Sequence, residues 1–198
     1  YSADDSIGAG GVQEDAQLLN TDWPSFNNDF SGQRFSLLKL INAKNVAGLK
    51  EVCRVELAEG GSLQSGPILV GGVMYVTTAL ETFAVDPASC KLIWKNTRTP
   101  VANMPFSVNR GAAYDNGLII RGTPDGHLIA LDANSGKPVW DNKIADTTYG
   151  EFTSMAPMAW QGIVYVGIAG SDRKCNWLTK ELGCAGAVNY RNDDLART

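Results

Sequence analysis

Chemistry in this chain has to come from a few polar side chains set among glycines and β-branched residues. Arg110 lies between Asn109 and Gly111, and a guanidinium presents a planar fork that can bind two oxygens of an acidic group at once. Gln64 stands at the start of an apolar run, where its amide can hydrogen-bond a carbonyl or carboxylate oxygen without adding charge. Thr153 and Ser154 supply adjacent hydroxyls just ahead of Ala156-Pro157. Asp172 follows Gly170-Ser171, and a carboxylate is a suitable donor for a hard, oxygen-preferring cation. Each has a plain structural counterpart: a solvated arginine in an ion pair, a polar residue opening a strand, an aspartate shaping a turn. His127, the one histidine, follows Pro124-Asp125-Gly126 and reads as a surface turn residue. The four cysteines (53, 90, 175, 184) form no C-x-x-C and do not sit with histidines at zinc spacing. Cys53 and Cys90 fall inside strand patterns and read as small buried apolar side chains rather than a disulfide; Cys175 and Cys184 read the same way in a helical stretch.

A repeat must position these groups. Gly117–Trp140 reads as three short strands: Leu118–Arg121 is apolar and β-branched, and Thr123-Pro124-Asp125-Gly126 is turn chemistry. His127–Leu131 alternates, and Asp132–Lys137 is a second turn delivering Trp140 onto the third strand. The unit recurs upstream as Gly72–Val76, Phe83–Asp86, Pro87–Lys91 and Trp94, and restarts downstream at Gly162–Val166. Glycines 72, 117 and 162 are 45 residues apart, and Trp94 and Trp140 are 46 apart. An all-β period of this size predicts propeller blades of about 40–50 residues and four strands each.

The run Ala130-Leu131-Asp132-Ala133-Asn134-Ser135-Gly136-Lys137-Pro138-Val139-Trp140 resembles the tryptophan-docking motif of quinoprotein dehydrogenases. Those are eight-bladed propellers that use pyrroloquinoline quinone (PQQ) and a calcium ion. Asp22–Val52 is similar to the segment leading that family into its first blade, through Asp22, Trp23, Pro24, Asn27, Arg34, Phe35, Ser36, Ile41, Asn42, Asn45, Val46 and Leu49. Trp23 and Phe35 read as apolar anchors, and Asn42 or Asn45 as turn residues that bond backbone. Val108-Asn109-Arg110-Gly111 matches the stretch whose arginine pairs with quinone oxygens, which implies that role for Arg110. Gln64 takes the place of a carboxylate that contacts the quinone, Thr153 and Ser154 fall where hydroxyls contact it, and Asp172 falls on the acidic calcium ligand, usually Glu. Many members stack the quinone on a disulfide between adjacent cysteines; Met104 and Pro105 stand there instead.

The repeat covers about two and a half blades. The expected architecture is a partial β-propeller over 22–172, preceded by a flexible leader (1–21) whose Gly8-Ala9-Gly10-Gly11 lacks the flanking strand and helix of a phosphate loop. After Asp172 the docking pattern gives way to apolar residues at helical spacing with Gly183 as a stop, which predicts a helical C-terminal extension over 173–198. Residues 164–198 also resemble a segment of medium-chain dehydrogenase/reductases, where Lys174 and Tyr190 would approach an NADP phosphate. The glycine-rich strand–turn–helix that such a site needs is missing upstream. Trp160 and Trp177 read as packing residues. An open stack of blades exposes an apolar face and sheet edges, so the chain is expected to be a fragment, an oligomer or a marginal arc.

Net charge is −4 over 198 residues with no basic stripe, which disfavours a nucleic-acid partner, and no apolar run approaches the ~20 residues of a membrane helix. The resemblance implies the N-terminal part of a periplasmic PQQ- and calcium-dependent dehydrogenase that oxidises an alcohol or polyol. Its electrons would pass to an acceptor such as a cytochrome c or a quinone, and the catalytic base lies beyond this chain. The alternatives are a non-catalytic PQQ-like propeller scaffold and, more remotely, an NADP-linked reductase.

Overall fold

Short β-branched and aromatic runs between glycine-bearing turns can bury themselves only as antiparallel meanders, and the chain folds that way. In the computed structural model, residues 22–57, 63–104, 106–166 and 172–180 are described. β1 (Ile68–Val70), β2 (Val73–Thr77), β3 (Glu81–Val85) and β4 (Leu92–Thr97) pair in sequence order as one four-stranded sheet. β5 (Ala113–Asp115), β6 (Leu118–Gly122), β7 (His127–Asp132) and β8 (Pro138–Lys143) repeat it. β9 (Met158–Trp160) and β10 (Ile163–Tyr165) begin a third, after which the chain enters a helix, α1 (Asp172–Lys180). These are two blades and the inner half of another.

The 45-residue glycine spacing has a specific origin. Gly71-Gly72, Asn116-Gly117 and Gln161-Gly162 each form a two-residue hairpin, with φ of 57° and 79°, 48° and 80°, and 50° and 81°. Positive φ at both central residues is the type I′ turn, whose twist matches that of the flanking strands. The third and fourth strands of both blades carry a bulge at the same place, between Ala84 and Val85 and between Ala130 and Leu131. The tryptophans lie opposite alanines, Trp94 across from Ala84 and Trp140 across from Ala130.

Blade stacks on blade through two faces of the same strands. Ile129 and Leu131 of β7, with Ala112 and Ile119 of the same blade, face blade one, where Ile68, Tyr75 and Ala84 join them in one buried cluster. Leu128 and Ala130 point the other way with Ile120, against Ala159 and Val164 of the third unit. The seam between blades one and two is fixed by polar groups as well. The Trp94 indole N–H donates to the Ala133 carbonyl at 2.9 Å, Tyr75 donates its hydroxyl to the same carbonyl at 3.2 Å, and Asn96 donates to the Gly136 carbonyl at 3.0 Å. The Trp94 ring lies on Gly136 so closely that a Cβ there would sit 2.5 Å from a ring carbon.

Residues 22–57 run as a strap with one 3-10 turn, Val46–Gly48. Trp23 exchanges two backbone hydrogen bonds with Leu69 on the edge of β1, and the Pro24 carbonyl accepts from the Tyr114 amide of β5, so the strap begins wedged between two inner strands. Asn42 and Asn45 close its turn: the Asn45 amide group donates to the Leu40 carbonyl at 2.6 Å and accepts from the Asn42 N–H at 2.8 Å. Phe35, expected as an anchor, is instead 63% exposed, together with Leu40, Ile41 and Leu49. Trp160, read as a packing residue, is half exposed and meets Phe30 edge to face at 6.2 Å. The reading of Cys53 and Cys90 as separate buried side chains is overturned: they form a disulfide that ties the strap to the β3–β4 turn. Strand periodicity cannot report a pairing between segments 37 residues apart. The leader at 1–21 and the segment at 181–198, with Gly183, Cys184 and Tyr190, lie outside the described residues.

Replacing the half-buried Trp94 by Ala removes the dock's ring and its hydrogen bond and is expected to cost about 3 kcal/mol, the low end of the range for truncating a large aromatic. Gly136→Ala, whose φ is +68°, should destabilise through the clash with Trp94 and the left-handed backbone together. Urea denaturation followed by far-UV circular dichroism measures both.

Candidate functional site

Three segments lead into the inner strands β1, β5 and β9, and the fold lays them side by side. The Gly66 N–H donates to the Arg110 carbonyl at 3.0 Å, and the Arg110 N–H donates to the Ser154 carbonyl at 2.9 Å. Gln64, Arg110, Thr153 and Ser154, each named from sequence, are thereby gathered on one rim. Gly66 and Gly111 make a parallel bridge so close that a Cβ on Gly111, where φ is +138°, would stand 3.0 Å from the Gly66 carbonyl. Only glycine fits there.

Arg110 is held by its neighbours rather than by its own side chain. Asn109 is buried; its Oδ1 accepts from the Thr77 hydroxyl and, at 2.9 Å, from the Gly111 N–H, while its Nδ2 donates to the Gly122 carbonyl at 2.9 Å. The Thr77 proton is committed to Asn109, so the Ser65 hydroxyl donates to Thr77 Oγ1, 2.9 Å away. The backbone of Arg110 is thus locked on both sides. Its guanidinium is exposed, with no hydrogen-bond or ion-pair partner among the described residues. Gln64 is exposed and Ser154 half-buried. Thr153 is buried, and its methyl packs against Gly122. Such a rim suits an anionic, oxygen-rich ligand: one cationic fork on a fixed backbone, with an amide and a hydroxyl from the neighbouring segments.

Asp172 is the first residue of α1, beyond the third unit, and no group of three potential metal ligands occurs among the described residues. Met104 is half-buried on the approach to the rim. Pro105 is outside the described residues.

Two charged clusters escaped the sequence reading. Arg121, in the middle of the apolar strand β6, is 1% exposed and bonds across the seam. It donates to the Glu81, Thr78 and Ala79 carbonyls at 2.6 Å each, to Thr82 Oγ1 at 3.2 Å and to the Gly122 carbonyl at 3.1 Å. Burial first, and the nearby Arg98 charge second, draw its pKa down to about 9, so it remains cationic at neutral pH. The lone arginine inside Leu-Ile-Ile-Arg-Gly was the one available signal, since a charge on a buried strand needs partners. In the second cluster, Arg98 grips Asp125 with three bonds of 2.9–3.0 Å and donates to Asp141 at 2.7 Å. Asp125 also accepts from the Val101 amide and the Thr123 hydroxyl. Burial would raise its pKa, but the Arg98, Thr123 and Val101 bonds and the Arg98 charge outweigh it and hold the carboxyl down to about 2. His127 belongs here too, which corrects its reading as a surface turn residue. It opens β7, its side chain is 14% exposed, and Nδ1 lies 2.6 Å from Asp141 Oδ1.

The sequence model described as "Glucose/ethanol/alcohol dehydrogenase, beta-propeller domain", with PQQ, matches residues 23–143. The lanthanide-dependent methanol dehydrogenase of Methylacidiphilum fumariolicum is 37% identical over 76% of this chain and 26% of its own length. The dehydrogenase subunit of the alcohol dehydrogenase (quinone) of Gluconacetobacter polyoxogenes is 39% identical over 86% of this chain and 25% of its own. Among solved structures, a europium-containing methanol dehydrogenase superposes with a TM-score of 0.65 at 35% identity, over 78% of this chain and 29% of that one. The chain spans about a quarter of the length of the curated relatives it matches.

The Asp125 carboxyl titrates lower in the folded chain than unfolded, so its contribution to stability is complete above about pH 4 and fades as pH falls toward about 2. Asp125→Asn should abolish that acid-sensitive component and cost about 3–5 kcal/mol at pH 7, because Arg98 is left buried without its main partner. Urea midpoints from pH 2 to 7 test both statements.

Proposed function

This chain belongs to the glucose/ethanol/alcohol dehydrogenase β-propeller family, and from that premise we propose that it is the N-terminal part of a PQQ- and calcium-dependent quinoprotein dehydrogenase oxidising an alcohol or polyol. The observation that carries the proposal is Arg110: a guanidinium with no partner among the described residues, on a backbone locked by Asn109 and Gly111, at a rim shared with Gln64 and Ser154. A cation without an internal partner at a pre-formed rim is arranged for a ligand rather than for the fold.

Arg110 would hold acidic oxygens of the quinone through its fork, with Gln64 and the Ser154 hydroxyl as neutral hydrogen-bonding groups beside it. Thr153, packed on Gly122, contributes shape and the wall of the rim more than a free hydroxyl. PQQ, when bound, supplies the two-electron acceptor for the alcohol's hydride. The described residues do not by themselves assemble a cation site. Asp172 is proposed as one ligand to a hard cation, calcium being the assignment, with the other donors supplied from outside these residues. The catalytic base is assigned to the same outside portion.

The partner proposed for re-oxidation is a cytochrome c or a quinone, and the name of the Gluconacetobacter relative specifies a quinone. A periplasmic location is supported by the Cys53–Cys90 disulfide, since such bonds persist in oxidising compartments. Among the described residues no helix is long and apolar enough to cross a membrane.

Thermal unfolding of the full chain in PQQ and calcium tests the reading. PQQ should raise the melting temperature, by a stabilisation of about 2.7 kcal/mol at a hundred times its Kd. Arg110→Ala should unfold at the wild-type temperature without ligand and lose most of the PQQ-dependent rise. No PQQ-dependent rise in either protein would assign the chain to the scaffold class instead, and an equal rise in both would overturn the role of Arg110.

A further inference from the structure

The two outer turns of the chain, Asp86–Lys91 and Asp132–Lys137, are one structure made twice, 46 residues apart. In each, the aspartate N–H donates to the lysine carbonyl at 2.9 Å, and the fifth residue's N–H donates to the aspartate carbonyl at 2.8 Å. The Ser89 and Ser135 hydroxyls donate to the aspartate carboxylates in the same way. Besides Pro87-Ala88 against Ala133-Asn134, they differ at the fifth residue. In the second turn it is Gly136, φ +68°, and Trp94 of the preceding blade lies on it with its indole N–H on the Ala133 carbonyl. In the first turn it is Cys90, φ +55°, a side chain in a left-handed conformation that favours glycine. Its Cβ stands where an incoming ring would have to lie. The Sγ of Cys53, bonded to Cys90, is 3.8 Å from the carbonyl of Pro87, which is the counterpart of Ala133.

We propose that the tryptophan dock of the first blade is permanently closed: Cys53 takes there the place that Trp94 takes at the second blade, and the occupant of the dock is this chain's own segment 49–57. Exposure along that segment alternates, with Cys53, Val55 and Leu57 turned inward and Arg54 and Glu56 outward, as expected for an extended strap laid on a sheet. The first blade therefore accepts no indole from a neighbouring blade, and whatever lies on its outer side meets the strap. The two seams of this blade are built on different chemistry, hydrogen-bonded indole on one side and disulfide on the other. This inference does not depend on the cofactor reading.

Amide hydrogen exchange of the full chain, oxidised and after reduction by a phosphine, tests it. Reduction should accelerate exchange at 49–57 and 86–91 by at least about tenfold while leaving 132–137 unchanged, since local openings are independent where no contacts are shared. Equal exchange in the two states, or free thiols at 53 and 90 in the unreduced protein, would overturn the proposal. In the converse experiment, Gly136→Cys should close the second dock, raising hydroxyl-radical oxidation of Trp94 by about tenfold as its ring is released to solvent. Trp94 protected as in wild type would show that a side chain at this position does not exclude the ring. Should that variant fail to fold, the oxidised–reduced comparison decides alone.

Discussion

The organisation of the chain rests on the seam between its first two blades. A four-stranded blade has two apolar faces and no way to cover either by itself, so it is stable only against a neighbour. Here the cover is specific. Trp94 reaches over to the turn of the next blade, and Arg121 reaches back to three carbonyls of the β2–β3 connection. Each bridge satisfies backbone groups that would otherwise be lost in the interface, and together they fix the lateral register of the two sheets. The rim then follows. The Gly66–Gly111 bridge and the Arg110–Ser154 hydrogen bond form because the inner strands have already been brought alongside.

Charge is distributed with the same logic. The cations needed for packing, Arg98 and Arg121, are buried and matched to carboxylates or carbonyls across the seam. Arg110 is exposed, and its stiffness comes from a buried asparagine and a glycine on either side of it. Structural arginines are consumed by the protein, whereas a ligand-binding arginine has to be left over. Arg121 on β6 is consumed by the fold and Arg110, ahead of β5, is left over, and the difference is one of partners rather than of residue type.

The strap adds a third kind of constraint. Its apolar residues, from Phe35 and Leu40 to Leu49, are largely exposed, so burial alone does not hold it in place. Wedged hydrogen bonds at Trp23 and Pro24 and the disulfide at Cys53 fix its two ends. Closing a loop of 37 residues by a covalent bond restricts the unfolded chain by about 4 kcal/mol in the chain-entropy account, which offsets the small apolar area the strap buries.

Much of the fold was legible in the sequence because its determinants are local. Type I′ turns require glycine or its closest substitutes, which wrote glycines 72, 117 and 162 at one spacing, and the docking turn carries its aspartate, serine and tryptophan within a dozen residues. The polar rim was legible in part, since Arg110 stood out between Asn109 and Gly111, but not the reason it is rigid. That reason is Asn109 bonding Thr77 and Gly122, residues from two other strands. The Cys53–Cys90 bond, the His127–Asp141 contact and the buried Arg121 were settled only by tertiary structure. The disulfide and Arg121 join segments with no periodic relation to one another, and His127 meets Asp141 diagonally across the β7–β8 ladder, where the register decides the partner. For Arg121 the free energy that selects the pairing exists only once the blades have stacked and excluded water from between them.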